Sequence, residues 1–237
     1  MVRILPVGDS ALTIEFGQSI DEDINAKVVA LHTALACDPI SGVRESLPTY
    51  RSLLVRYDPA MMRGAALSEL LAARLDGLKG LKPQARRWRV PVHYGGEAAL
   101  DLEDLAATKG LSVDGLIRLH CSVEYRVYMI GFAPGMAYLG GLPEPLHTPR
   151  LGVPRQRITP GSVGIGGRQA SINSIAGPSG WRFIGRTPLR LFDPRRRNPF
   201  LLAAGDVVLF EPVDAAAVAA LDMRAEAGEI IVEPERP

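Results

Sequence analysis

Cysteine is scarce in this chain of 237 residues, which has only Cys37 and Cys121. Two cysteines so far apart make neither a disulfide framework nor a zinc site, and each reads as a small core residue near the end of a predicted helix. An excess of charge of either sign is missing as well: 27 Lys and Arg stand against 26 Asp and Glu. So even a balance gives no general attraction to nucleic acid or to a membrane surface. The one local basic cluster, Arg195, Arg196 and Arg197, sits between Pro194 and Pro199 and reads as a solvated turn before it reads as a phosphate clamp. No apolar run is long enough to cross a bilayer, and the opening Met-Val-Arg-Ile-Leu-Pro lacks the apolar stretch of a signal peptide. The expectation is a cytoplasmic protein. Several catalytic signatures are missing too. There is no Gly-x-Ser-x-Gly elbow and no His-Glu-x-x-His, and Gly161 to Gly167 is not followed by the Lys-Ser/Thr of a phosphate loop. The four histidines, at 32, 93, 120 and 147, are dispersed, and no metal site is expected from them.

What is present is an ordinary globular composition, 47% hydrophobic and 22% charged, with a change of pattern along the chain. Arg3 to Val7 and Ala11 to Phe16 read as strands around a Gly8-Asp9-Ser10 turn. A helix from about Ile20 to Ala36 follows, with Ser19 and Glu22 at capping-box spacing and Ile24, Val28, Leu31 and Leu35 on one stripe. Val43 to Leu47 and Ser52 to Tyr57 form a second strand pair. A second helix then points Leu67, Leu70, Leu71 and Leu75 at a core. Strands, helix, strands, helix fit one antiparallel sheet with helices on one face. The Gly- and Lys-rich stretch from Gly77 to Pro83 is the expected boundary, giving domains 1–82 and 83–237.

Beyond it, Trp88 to Tyr94 reads as a strand, and two short helices follow. Asp101 is expected to cap the first of them and Ser112 the second. Short strands then alternate with Gly/Pro turns: Tyr125 to Phe132, Gly161 to Ile165, Ala170 to Ile175, Trp181 to Ile184, Leu189 to Phe192 and Val207 to Glu211. That rhythm predicts a closed or nearly closed barrel. Val213 to Leu221 reads as a helix and Glu229 to Val232 as a last strand.

Candidate chemistry concentrates between Gly131 and Pro188. Glycine and proline are dense there, as tight barrel corners require and as close approach of backbone to a ligand would also require. Six arginines, 150, 155, 157, 168, 182 and 186, occur in this stretch with no acidic residue after Glu144. The guanidinium fork suits a carboxylate or a phosphate. Arg155, Arg157 and Arg186 are the leading candidates, with Ser162, Gln169, Thr187, Tyr138 and Trp181 as further lining residues. His120 shares a helical face with Val113, Leu116 and Ile117, so a half-buried histidine and a ligand-facing one are both open. Glu97 follows a Gly-Gly turn and is a candidate acid/base group.

The order of motifs resembles one family. Pro91-Val92-His93-Tyr94-Gly95-Gly96-Glu97, Leu119-His120, Tyr128-Met129-Ile130-Gly131-Phe132-Ala133-Pro134-Gly135, Tyr138-Leu139-Gly140-Gly141-Leu142, Thr148-Pro149-Arg150, Pro154-Arg155 and Arg157 come in sequence. Gly161-Ser162-Val163-Gly164-Ile165, Gly180-Trp181 and Ile184-Gly185-Arg186-Thr187-Pro188 complete the set. Together they resemble the family that comprises the B subunits of 5-oxoprolinase, KipI and allophanate hydrolase subunit 1, of the carboxyltransferase-domain (subdomain C and D) type. The resemblance implies an α+β fold, with a small ferredoxin-like N-terminal domain before a cyclophilin-like β-barrel. It implies one subunit of an ATP-dependent 5-oxoprolinase, inactive alone, that opens 5-oxoproline to glutamate. Its partners would be the C subunit (KipA-like, allophanate hydrolase subunit 2 type) and the A subunit (LamB/YcsF-like) of that enzyme. ATP is expected in the complex, with magnesium accompanying it, and no covalent biotin, since the chain has no Ala-Met-Lys-Met. An inhibitor of a sensor histidine kinase and a subunit of an allophanate/urea carboxylase-type amidohydrolase are the alternatives. One departure stands out: after Gln169 the family pattern Thr-Gly-Ile-Tyr-Pro is here Ala170-Ser171-Ile172-Asn173-Ser174.

Overall fold

The structure is a computed structural model that describes residues 2–78 and 85–235. The chain divides into two compact units, Met1–Gln84 and Ala85–Pro237. Most of the expected boundary stretch falls on residues 79–84, outside the described residues.

The first unit contains β1 (Arg3–Val7), β2 (Ala11–Glu15), α1 (Glu22–Cys37), β3 (Val43–Pro48), β4 (Ser52–Tyr57) and α2 (Gly64–Gly77). Its sheet is antiparallel, in the order β1-β2-β4-β3. This is the ferredoxin-like order with one edge strand moved to the front of the chain. The period-2 alternation of β2 and β4 puts Leu12, Ile14, Leu53, Val55 and Tyr57 on one face. Val28, Leu31 and Leu35 of α1 and Leu67 and Leu71 of α2 join them in one core. Each fully buried leucine there contributes about 2 kcal/mol.

Three local expectations are corrected in this unit. Asp21, not Ser19, caps α1, its carboxylate accepting from the Ile24 N–H at 3.0 Å. Leu70 points away from the core and is exposed, because its side chain falls outside the Leu67–Leu71 stripe. Cys37 lies exposed at the end of α1.

The second unit contains β5 (Arg87–Val92), α3 (Leu102–Thr108), α4 (Val113–Cys121), β6 (Tyr125–Ile130), β7 (Ala137–Gly140), β8 (Arg155–Ile158) and β9 (Ser162–Gly166). These are followed by β10 (Gln169–Ile172), β11 (Gly177–Ser179), β12 (Arg182–Arg186), β13 (Val207–Pro212) and α5 (Ala215–Glu226). Seven strands form one sheet in the order β12-β9-β10-β7-β6-β13-β5, while β8 and β11 make a separate ribbon. The two edges of the large sheet meet just beyond β5. His93 and Arg186 exchange backbone N–H···O bonds, both 2.9 Å, which nearly closes the sheet into a barrel. Val90, Val92, Leu139, Ile165, Ala170, Ile172 and Ile184 fill the interior.

The ends of the elements differ from the sequence expectations for physical reasons. Leu189–Phe192 buries Leu189 and Leu191 yet forms no strand, pairing only at Phe192 with Phe200. Residues 229–232 are irregular, and the C-terminal segment pairs instead through Glu235 with Arg87. The central strand β7 and the ribbon of β8 and β11 are only three or four residues long. In a Gly/Pro-dense stretch, strands that short carry almost no periodic signal.

Candidate functional site

Four strands of the second unit share an outward face whose residues are set by register. Tyr138 of β7 lies opposite Ser171 of β10, Ser171 opposite Gly164 of β9, and Gly164 opposite Phe183 of β12. Their chain neighbours Leu139, Ala170, Ile172, Val163, Ile165 and Ile184 point into the barrel. Trp181, just before β12, lies over this face. A Cβ built on Gly166 would stand 2.7 Å from Trp181 Cε3, and one built on Gly164 would stand 3.1 Å from Trp181 Cβ. Both positions are therefore glycine because the tryptophan lies against bare backbone.

The rings of Tyr138 and Trp181 are 5.9 Å apart, and the Arg150 guanidinium stacks over the indole at 4.5 Å. Such a contact is worth about 0.5–1 kcal/mol at an exposed site. Burial pushes the Tyr138 hydroxyl pKa up, and the nearby Arg150 charge partly opposes this. Together with Phe132, Met136 and Pro154, these residues line a cleft of about 270 Å³. Phe132 is unusual twice over. It is 76% exposed, and it is the one non-glycine residue with positive φ, at 66°, among the described residues. A bulky side chain in that region is strained, and strain of this kind collects at functional sites. The next turn fixes the loop: Gly135 has φ 77°, and a Cβ there would stand 3.0 Å from the Leu191 carbonyl oxygen.

Behind the cleft lie polar atoms without partners. Gln169 and Ser171 are buried on the outward face of β10, and Gln169 Nε2 and Ser171 Oγ have no hydrogen-bond partner. An unpaired buried polar group costs about 1–3 kcal/mol.

A second cleft, of about 460 Å³, is lined by Thr159, Gly161, Ser174, Arg186, Thr187, Arg190, Asp222 and Glu226 among others. Arg186 donates to both Asp222 carboxylate oxygens at 2.7 Å. That hydrogen-bonded carboxylate raises its pKa further and occupies its fork. Thr187 is buried and accepts from the Leu189 N–H, and Ser162 donates to the Thr159 carbonyl at 2.9 Å.

The remaining sequence candidates are separated from both clefts or from each other. His120 is fully buried on α4, stacked on Phe210 of β13 with ring centroids 4.7 Å apart. Its Nδ1 shares a hydrogen bond with the Tyr94 hydroxyl at 2.8 Å, and its Nε2 is unpartnered. Burial lowers its pKa to about 3, so the ring is neutral. Arg155 donates to both Asp101 oxygens, at 2.9 and 2.7 Å. Asp101 does not cap α3 with its side chain; its carboxylate takes Arg155 and the Phe183 N–H instead. Arg157 is exposed on β8, and Glu97 is exposed in the short 3-10 turn Gly96–Ala98. The structure thus brings Tyr138, Trp181 and Gln169 to one face and Arg186, Thr187 and Ser162 to another. Sequence reasoning passed over Phe132, although its place between Gly131 and Pro134 was a signal. Arg150 was one of six arginines with nothing in the sequence to set it apart.

Among the described residues no cluster of three or more His, Cys, Asp or Glu is arranged to hold a metal ion. No helix is long and apolar enough to cross a membrane, again among those residues.

The family model described as "Carboxyltransferase domain, subdomain C and D" matches residues 2–202. The B subunit of 5-oxoprolinase from Bacillus subtilis (strain 168) is 40% identical over 220 residues, spanning 88% of this chain and 91% of that protein. The B subunit of 5-oxoprolinase from Haemophilus influenzae is 43% identical over 213 residues, spanning 88% and 97%. Among solved structures, TTHA0988 superposes with a TM-score of 0.76 at 33% identity over 91% of this chain, which spans only 40% of that longer one. The Kluyveromyces lactis urea carboxylase matches over 99% of this chain and 24% of its own, with a TM-score of 0.78. At 21% identity that likeness concerns the fold alone.

Proposed function

Because the chain belongs to the family of carboxyltransferase-domain proteins of the subdomain C and D type, we propose that it is the B subunit of an ATP-dependent 5-oxoprolinase. The observation that carries this reading is near-full-length identity of about two fifths to proteins named for that activity, at 40% and 43%. In this reading the chain works in the cytoplasm with the C and A subunits of the enzyme, and ATP with its magnesium serves the complex.

The chemistry explains the need for ATP. The lactam of 5-oxoproline is a resonance-stabilised amide, poorly reactive toward water. Transfer of the terminal phosphoryl group of ATP to the carbonyl oxygen makes the ring carbon electrophilic. Water then adds to that carbon and the ring nitrogen leaves as an amine, giving an acyl phosphate, which a second water hydrolyses to glutamate and phosphate. Fixed positive charge helps at the phosphoryl-transfer step. Among the six arginines of this stretch, Arg155 and Arg186 are held by carboxylates, which leaves Arg150, Arg157 and Arg168 as the exposed cations without an ion-pair partner among the described residues.

The test is reconstitution. The purified chain alone is expected to give negligible glutamate from 5-oxoproline. Addition of the partner proteins and ATP should give turnover that stops when ATP is withheld. Robust turnover by the single chain, or none by any combination, overturns the reading.

A further inference from the structure

We propose that the cleft between Phe132, Tyr138 and Trp181 is the binding site for a small cyclic amide that carries a carboxylate. Arg150 takes the carboxylate, and the buried Ser171 hydroxyl and Gln169 amide take the ring amide. The choice of 5-oxoproline as the ligand of this class rests on the function proposed above; the site itself rests on the geometry.

Four observations converge. The first is the pair of unsatisfied polar groups. Ser171 Oγ and Gln169 Nε2 are buried, without partners, and two residues apart on one strand, so they face the same way. Retaining two such groups is destabilising unless something binds them in a working state. An amide offers both an acceptor and a donor, which matches a hydroxyl beside a side-chain amide. Second, Arg150 is exposed, stacks on Trp181, and has no carboxylate partner among the described residues. The guanidinium is thus oriented by the indole while its hydrogen-bonding edge stays available, the arrangement that suits a carboxylate.

Third, the walls are aromatic: Tyr138, Trp181 and the strained, exposed Phe132 can hold the flat face of a small ring. Finally, the size discriminates. A cleft of about 270 Å³ lies below the ~300–1,000 Å³ of drug-sized ligand sites, so it favours a single-ring acid over a nucleotide.

Trp181 is buried at 3% exposure and roofs this face, resting on the bare backbone of Gly164 and Gly166. The ligand therefore reaches Ser171 by shifting the indole along that glycine bed, and binding changes the environment of Trp181. The other tryptophan, Trp88, is in the barrel core with its Nε1 donating to Asp206.

The experiment titrates the full chain with 5-oxoproline while following tryptophan fluorescence, with Trp181→Phe as the signal control. In parallel, KM for 5-oxoproline is measured in the reconstituted complex. Two probes separate the groups: 2-pyrrolidinone has the lactam without the carboxylate, and proline has the carboxylate without the lactam carbonyl. Arg150→Gln is expected to weaken 5-oxoproline binding and raise KM by about tenfold while leaving 2-pyrrolidinone binding unchanged. Ser171→Ala is expected to weaken 5-oxoproline by a similar factor. The same variant, freed of an unpaired hydroxyl, should raise Tm by about 2–4 °C.

A merely structural serine, or one satisfied by a buried water, would leave affinity and KM unchanged in Ser171→Ala, and that result overturns the site. A complex that turns over 5-oxoproline with wild-type KM in both variants likewise removes the site and leaves the proposed function standing. Arg150-dependent binding of 5-oxoproline by a chain whose complex does not hydrolyse it supports the site and removes the function.

Discussion

Arg155→Ala should lower the stability of the second unit by about 3 kcal/mol, whatever it does to activity. Arg155 grips both oxygens of Asp101, at 2.9 and 2.7 Å, and the Asp101 side chain is only 5% exposed. Asp101 in turn accepts from the Phe183 N–H at 2.7 Å and donates its own N–H to the Phe183 carbonyl at 2.8 Å. The pair thus ties the start of α3 and the ribbon strand β8 to β12. Removing the guanidinium leaves a buried carboxylate with one backbone donor, and breaking such a pair from one side is costly.

Neutralising the other side as well should recover part of the loss. The double variant Asp101→Asn, Arg155→Ala is therefore expected to be more stable than Arg155→Ala alone. Urea unfolding followed by tryptophan fluorescence is suited to this, since Trp88 and Trp181 both belong to the second unit. An Arg155→Ala protein of wild-type stability whose complex has lost activity would reverse the assignment and make Arg155 a ligand-binding group.

The second large effect concerns pH. His120 is enclosed by Tyr94, Tyr125 and Phe210, and burial lowers its pKa from 6.5 to about 3. The native state holds the ring neutral, whereas the unfolded chain protonates it below about 6.5. The contribution of His120 is therefore fully present above pH 6.5 and is lost progressively as pH falls toward 3. The slope is about 1.4 kcal/mol per pH unit, so about 2 kcal/mol is lost between pH 6.5 and pH 5. This window lies above the range in which carboxylates titrate, which isolates the effect. His32, whose pKa is also lowered by burial, acts in the same direction but lies in the first unit.

His120→Asn, which can keep an amide near the Tyr94 hydroxyl, should be less stable at pH 7 and should lose most of the slope between pH 7 and pH 5. Equal slopes in the two proteins, again read from the tryptophans of the second unit, would show that His120 is not buried in neutral form. The same burial separates His120 from the arginines with which sequence reasoning had grouped it.

Reading this chain from its residues worked where the signal is local and periodic. The alternation of β2 and β4 and the stripes of α1 and α2 place the core of the first unit, and the turn-punctuated strands foretell the barrel. The ordered motifs from Pro91 to Pro188 pointed to the family through many short matches, although no single one of them carries chemistry. Tyr138, Trp181 and Gln169 could be singled out as candidates because large or polar side chains among glycines are conspicuous.

Which arginine is available was not legible. Arg150, Arg155 and Arg186 look alike in sequence, and only the fold puts Asp101 under one, Asp222 under another and an indole under the third. His120 likewise sits on a helical face whose pattern allowed both a ligand and a core residue, and Phe210, ninety residues away, decided for the core. Sequence alone therefore determined the longer elements, most of the core of the first unit and the family, because helix and strand periodicity and turn chemistry act over a few residues. Tertiary structure alone decided charge pairing, burial and access, because these depend on contacts between residues far apart in the chain, and the free energy of an ionisable group is set by what surrounds it.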